Sequence, residues 1–176
     1  MRMKKKIFIP VVFCLFSMVN AQLVIGKETV SQEQISLEFG DSEPRGLILP
    51  YVSNLSEITD EGALVFDATD FKVKLKNGVN NWFDLTIDNT GTADLTSQNT
   101  DLEDQPNSQI IIGNQAELET AHGILVLADD DAAMVLPKVE SPHLTIKNPS
   151  AGMMVYDTIS KQLAVFNGTV WSFWKP

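Results

Sequence analysis

Two histidines, a run of three aspartates, a matched pair of aspartates and three tryptophans are the residues of this chain whose chemistry calls for a reading. His122 and His143 stand 21 residues apart in polar stretches, with no carboxylate at a familiar ligand spacing. Imidazole serves as acid, base or metal ligand only beside such partners, so surface histidines are expected. Asp129, Asp130 and Asp131 form the densest acidic run, and oxygen-rich loops can hold calcium. The run lacks the spaced pattern of an EF-hand, and its counterpart "GDSEP" near residue 40 reads as a turn. A solvated hairpin tip is the first expectation and calcium the alternative. Asp67 and Asp157 are a carboxylate pair of the kind that hydrolyses glycosides. Each, however, follows a "VF" or "VY" strand and precedes a turn, where Asp accepts backbone N–H groups. Trp82, Trp171 and Trp174 offer faces for stacking sugars, but Trp at one point of a repeat more often packs in a core or interface. The chain has no Gly-x-Ser-x-Gly, no His-Glu-x-x-His and no phosphate-cradling glycine loop. A non-enzymatic protein is expected.

Composition narrows the classes further. Residues 1–21, with Arg2, Lys4, Lys5 and Lys6 before an apolar run and with Val19 and Ala21 before Gln22, read as a secretory signal peptide. Cleavage there removes Cys14 and four cations. Nine Lys and Arg then face 23 acids, a net charge of about −14. That sign excludes the basic footprint needed for nucleic acid or an anionic membrane surface, and no later segment is apolar for long enough to insert in a membrane. Without cysteine, the mature protein depends on core burial or on association with other chains.

What must position these residues is a duplication. Placing residue 23 over residue 110 sets "LVIG" on "IIIG" and "RGLILPYV" on "AAMVLPKV". After a three-residue insertion, Gly62, Val65, Asp67, Asn77 and Gly78 meet Gly152, Val155, Asp157, Asn167 and Gly168. Four segments follow: the leader 1–21, a first β-repeat 22–85, a polar linker 86–109 poor in large apolar side chains, and a second β-repeat 110–176. "ISLEF" and "FKVKLK" alternate apolar with polar residues as strands do. Asn77-Gly78 and Asn167-Gly168 suit tight hairpins that lead to tryptophan-bearing strands. The fold class is therefore all-β: two short-strand meander repeats joined by a polar linker, with little or no helix. Only residues 115–123 offer a turn or two of helix. In the second repeat "MMVYD" and "LAVF" are apolar on both faces. Such strands need two covers, the other repeat or another subunit.

"RGLILP…EGALVFDATDFKVKLKNGVNNW" and "AMVLPKV…AGMMVYDTISKQLAVFNGTVWSFW" resemble a repeat of secreted proteins in gliding and related Gram-negative bacteria. Similar segments occur in phage tail fibre-like and cell-surface fibre-like proteins. The resemblance implies a β-rich, non-catalytic, exported protein, plausibly trimeric, with Pro137, Gly152, Tyr156, Asp157, Asn167, Gly168 and Trp171 as framework residues. In the first copy Phe66 stands for the tyrosine, Ala68 for the threonine, and "VNN" lengthens the approach to Trp82. The expectation is a structural or adhesive protein at the cell surface, outside the cell or in the periplasm. It would associate through its C-terminal repeat, with Val165 and Trp174 also at the interface and a surface protein or glycan as possible partner. The alternative is a carbohydrate-binding module that uses exposed aromatics.

Overall fold

The computed structural model describes residues 22–41, 44–96, 109–113, 120 and 122–175. The leader at 1–21 lies outside them, as does most of the helix candidate at 115–123, whose described residues 120, 122 and 123 are not helical. The first repeat holds β1 (Leu23–Ile25), β2 (Ile35–Phe39), β3 (Leu47–Ile48), β4 (Tyr51–Val52), β5 (Leu64–Asp67), β6 (Lys72–Gly78) and β7 (Asn81–Asp84). The second holds β8 (Ile110–Ile112), β9 (Leu125–Leu127), β10 (Ala133–Val135), β11 (Lys138–Val139), α1 (Pro142–Thr145), β12 (Met153–Asp157), β13 (Gln162–Phe166) and β14 (Trp171–Trp174). Among the described residues the protein is all-β apart from α1, a single turn that starts at Pro142, where the missing N–H costs nothing.

The duplication seen in the sequence is repeated in the pairing. β1 lies parallel to β2 as β8 does to β9; in space Leu23↔Leu37 matches Ile110↔Leu125, one residue out of step with the sequence alignment, which sets Leu37 on Ile124. β4 lies parallel to β5 as β11 does to β12, with Tyr51↔Phe66 matching Lys138↔Tyr156. Antiparallel meanders β5-β6-β7 and β12-β13-β14 complete the repeats. The two Asn-Gly pairs part company here. Gly168 has φ +102 in the β13–β14 turn, but in the first copy β6 runs on through Gly78 past a register shift, and Asn80 at φ +60 makes the turn. The extra residue of "VNN" is absorbed by that irregularity.

The repeats interlock rather than sit in line. β3 leaves the first repeat and pairs antiparallel with β12, as Ile48↔Met153 and Leu47↔Met154, while β10 leaves the second and pairs parallel with β2. The two-faced apolar strands are covered by the first repeat on one face in this way and only in part on the other. Val165 and Met154 join Leu49, Phe66, Val73 and Leu85 in a core shared by the two repeats. Met153, Val155, Ala164 and Phe166 turn to the other face, against Val139, Ile146 and Trp171.

In two alternating strands the polar face is engaged rather than left to solvent, which their pattern does not announce. In β2, Ser36 and Glu38 are as buried as Ile35 and Leu37, because Asp129 reaches over Ser36 and the Lys27–Ser31 turn closes over Glu38. The Glu38 carboxylate accepts from the Ser31 N–H at 2.7 Å, the Ser31 hydroxyl at 2.6 Å and the Lys27 ammonium at 2.9 Å. Burial alone pushes this carboxyl up, but the three donors outweigh it and hold it down at about 2. A carboxyl lowered on folding stabilises fully above its ordinary 4.5 and loses that contribution as pH falls toward 2. Glu38→Gln should therefore cost about 1–3 kcal/mol at pH 7. Thermal melts between pH 5 and pH 2 should show a flatter decline for the variant than for the wild type; parallel declines would assign the acid sensitivity elsewhere. In β6 the lysines do face away from Val73, yet each is engaged. Lys72 pairs with Asp84 at 2.7 Å, Lys74 with Asp67 at 2.8 Å and Asp70 at 2.6 Å, and Lys76 lies 5.0 Å from the Trp82 ring centre.

Candidate subunit interface

The residues singled out by the repeat make the following contacts. The Pro137 carbonyl accepts the Tyr156 N–H at 2.9 Å, which ties β11 to β12, where Tyr156 also pairs with Leu163. Gly152, at φ +72, donates to the Phe166 carbonyl and accepts from the Leu49 N–H, with the Phe66 ring packed where a Cβ would lie. Val165, fully buried, belongs to the shared core rather than to an outer surface. Asp67 and Asp157 do the same work twice. Asp67 Oδ1 accepts the Thr69 N–H at 2.9 Å, and Asp157 Oδ1 accepts the N–H groups of Ser141, Ile159 and Ser160 at 3.0–3.3 Å. Burial raises the Asp157 carboxyl, and these donors reverse the shift, so it is held below the usual carboxylate range. Asp157 Oδ2 is buried without a partner because Ala164 stands where Lys74, the partner of Asp67 Oδ2, stands in the first repeat.

The polar segment after β7 takes part in the site, which its composition conceals. Through residues 86–92 it straps across the β13–β14 turn. Thr86 Oγ1 accepts the Val73 N–H at 2.9 Å, Asn167 Nδ2 donates to the Asp88 carbonyl at 2.9 Å, and the Thr169 hydroxyl donates to the Thr90 carbonyl at 2.9 Å. Asn167 Oδ1 meanwhile accepts the N–H groups of Thr169 and Val170. The recurring Asp-x-Thr triplets at 67–69, 88–90 and 94–96, each an Asp capping the Thr N–H and hydroxyl, were the signal available for this order.

The tryptophans are spent on protein contacts. Trp174 donates Nε1–H to the Leu85 carbonyl at 2.6 Å and tilts against Phe83 at 5.5 Å, clamping the end of the chain to the first repeat. Trp171 lies between Phe166 at 5.1 Å and Phe173 at 6.5 Å, and Phe173 meets His143 edge-on at 5.7 Å. This ladder lies on the β13–β14 face opposite the shared core. Gly46 of the first repeat packs on Met153 and Val155 of that sheet, and α1 with its flanks reaches Phe173 and Phe166, leaving Phe173 39% and Leu144 73% exposed. The His122 N–H reaches Asp60 Oδ2 at 3.0 Å, and Asp129 accepts the Ser36 hydroxyl. Among the described residues no group of three His, Cys, Asp or Glu is placed to hold a metal, and no helix is long and apolar enough to cross a membrane.

What this arrangement can do is associate. It offers a rigid sheet with an aromatic, half-covered face and turns bolted from behind. No curated protein and no solved structure matches the chain. Residues 112–175, which contain β9 to β14 and the whole aromatic ladder, match the family model of the phage tail like trimerisation region, and the second repeat is similar to that region.

Proposed function

We propose that this chain is an exported, non-catalytic structural protein of fibre-like assemblies that forms a homotrimer through its second repeat. One coincidence carries the reading: the stretch similar to a trimerisation region is the stretch that bears Trp171, Phe173 and Leu144 on an under-covered face. At a net charge near −14, copies repel at long range, so a stable contact has to come from apolar area. An adhesive role at the cell surface, toward a surface protein or a glycan, belongs to the same proposal.

The test is the solution mass of the chain from Gln22 onward, by light scattering after size exclusion. Three copies are expected, persisting in 1 M salt. Phe173→Ser combined with Leu144→Ser removes about 2 kcal/mol of apolar burial per side chain in each copy and should give single copies with an unchanged far-ultraviolet spectrum. A wild type that runs as one copy at micromolar concentration would defeat the reading.

A further inference from the structure

The duplication sets up a plug and a socket, and among the described residues only one of each is used. In the first repeat Leu49, Tyr51 and Phe66 line a socket beside β3. Ala151, Gly152 and Met154 of the second repeat fill it: the Tyr51 hydroxyl donates to the Ala151 carbonyl at 2.9 Å, Gly152 packs on Phe66, and Met154 pairs with Leu47. The corresponding socket of the second repeat is an open groove lined by Met134, Leu136, Lys138 and Tyr156. The corresponding plug of the first repeat is Glu61-Gly62-Ala63-Leu64, of which Leu64 packs in part against the shared core and Glu61 and Gly62 stand clear of it. Gly62 keeps the left-handed backbone of Gly152, at φ +86, but no atom lies within 4 Å of where its Cβ would be.

The strand edges agree with this. Ala133 donates toward β2 and Leu49 toward β12, so the aligned strands β10 and β3 each use one edge, and they use opposite ones. The unused edge of β10 is the one that β3 presents to β12. The exposed outer edge of β9 is likewise the one that β2 presents to β10. Leu37 on β2 is 1% exposed, whereas its counterpart Leu125 on β9 is 40% exposed, and Ile48 on the unused edge of β3 is 48% exposed. Among the described residues no strand pairs with these edges. Open edges of this kind recruit strands.

From this geometry we propose that a second copy of this chain inserts residues 61–64 into the groove beside β10, while its β3 adds to β9, repeating between chains the contact already made between repeats. Charge also favours this occupant. The position of Tyr51 is taken by Lys138 in the open socket and that of Ala151 by Glu61 in the first-repeat plug, so the intermolecular contact would bring Glu61 to a lysine whose partner within the chain, Asp41, stands at 4.0 Å. The contact joins unlike surfaces, so it closes into a ring, of three if the homotrimer reading holds, or continues along a fibre. It takes from that reading only the identity of the partner.

The test places thiols at the pair equivalent to Met153 and Ile48. In the full chain carrying Cys14→Ser, Ala63→Cys and Val135→Cys are introduced together and the protein is oxidised. Cα atoms paired in this way lie within disulfide range. Reducible multi-chain species are expected from the double variant and none from either single variant. Monomer bands alone would overturn the docking, and a light-scattering mass of three copies would then leave the homotrimer standing on the aromatic face. Cross-linked species together with a mass other than three would support the docking and remove the homotrimer instead. Lys138→Glu should weaken self-association about tenfold, the effect of roughly 1.4 kcal/mol, and Glu61→Lys in the same chain should restore it. Failure of the reversal would count against the docking.

Discussion

Val165→Asp should unfold the second repeat rather than release one subunit from another. Read from sequence, Val165 belongs on a subunit surface, where a charge would only separate copies. In the structure its side chain is fully buried between Leu49, Phe66, Val73, Leu85 and Met154, the core that both repeats share. The lysines of β6 point to the opposite face, so no cation is available to an aspartate there. An unpaired buried carboxylate costs several kcal/mol even after the structure relaxes, and small proteins hold only about 5–15 kcal/mol in total. The expected result is loss of the near-ultraviolet signal and of a cooperative melt at 25 °C. Val165→Ala, which deletes methyl groups without adding charge, should cost about 2 kcal/mol and stay folded. A Val165→Asp protein that melts like the wild type but at a lower solution mass would return the residue to the outer surface.

The contrast shows what the sequence made legible. Strand identity, the duplication and the turn-capping role of Asp67 and Asp157 all depend on neighbours within a few residues, and the chain writes such relations locally. The pairing of β3 with β12 and of β10 with β2 depends on residues about a hundred apart, and two-residue strands carry no periodicity to announce it. Ser36 and Glu38 look solvent-facing by alternation, but Asp129, more than ninety residues on, covers the first and the turn before the strand covers the second. The acidic, threonine-rich composition of 86–96 describes a segment that cannot make its own core. It says nothing against lying on a core made elsewhere. The aromatic ending, legible as sticky from the start, divides on inspection: Trp174 closes the chain onto the first repeat, and Trp171 with Phe173 faces outward.

The strap over the β13–β14 turn depends on two glycines whose backbones cross. At Gly168 a Cβ would overlap the Thr92 carbonyl, and the φ of +102 is one that other residues adopt only under strain. At Gly91 a Cβ would overlap the Asn167 carbonyl, without any unusual φ. Gly168→Ala therefore combines backbone strain with overlap and should cost about 3 kcal/mol, whereas Gly91→Ala, which meets overlap alone, should cost about 1–2 kcal/mol. Both substitutions force apart the same crossing, so the double variant should lose less than the two losses added. Hydrogen exchange gives the local readout. Amides of residues 86–96 should exchange faster in either variant while those of β6 hold. Leu85, whose carbonyl anchors Trp174, immediately precedes the strap, so release of the strap should also free the tryptophan and red-shift its emission. Full additivity, with exchange over 86–96 unchanged, would mean that the segment does not bear on the turn. The β13–β14 hairpin would then be held by its own sheet alone, and its aromatic face would lose the backing that keeps it flat enough to meet another copy.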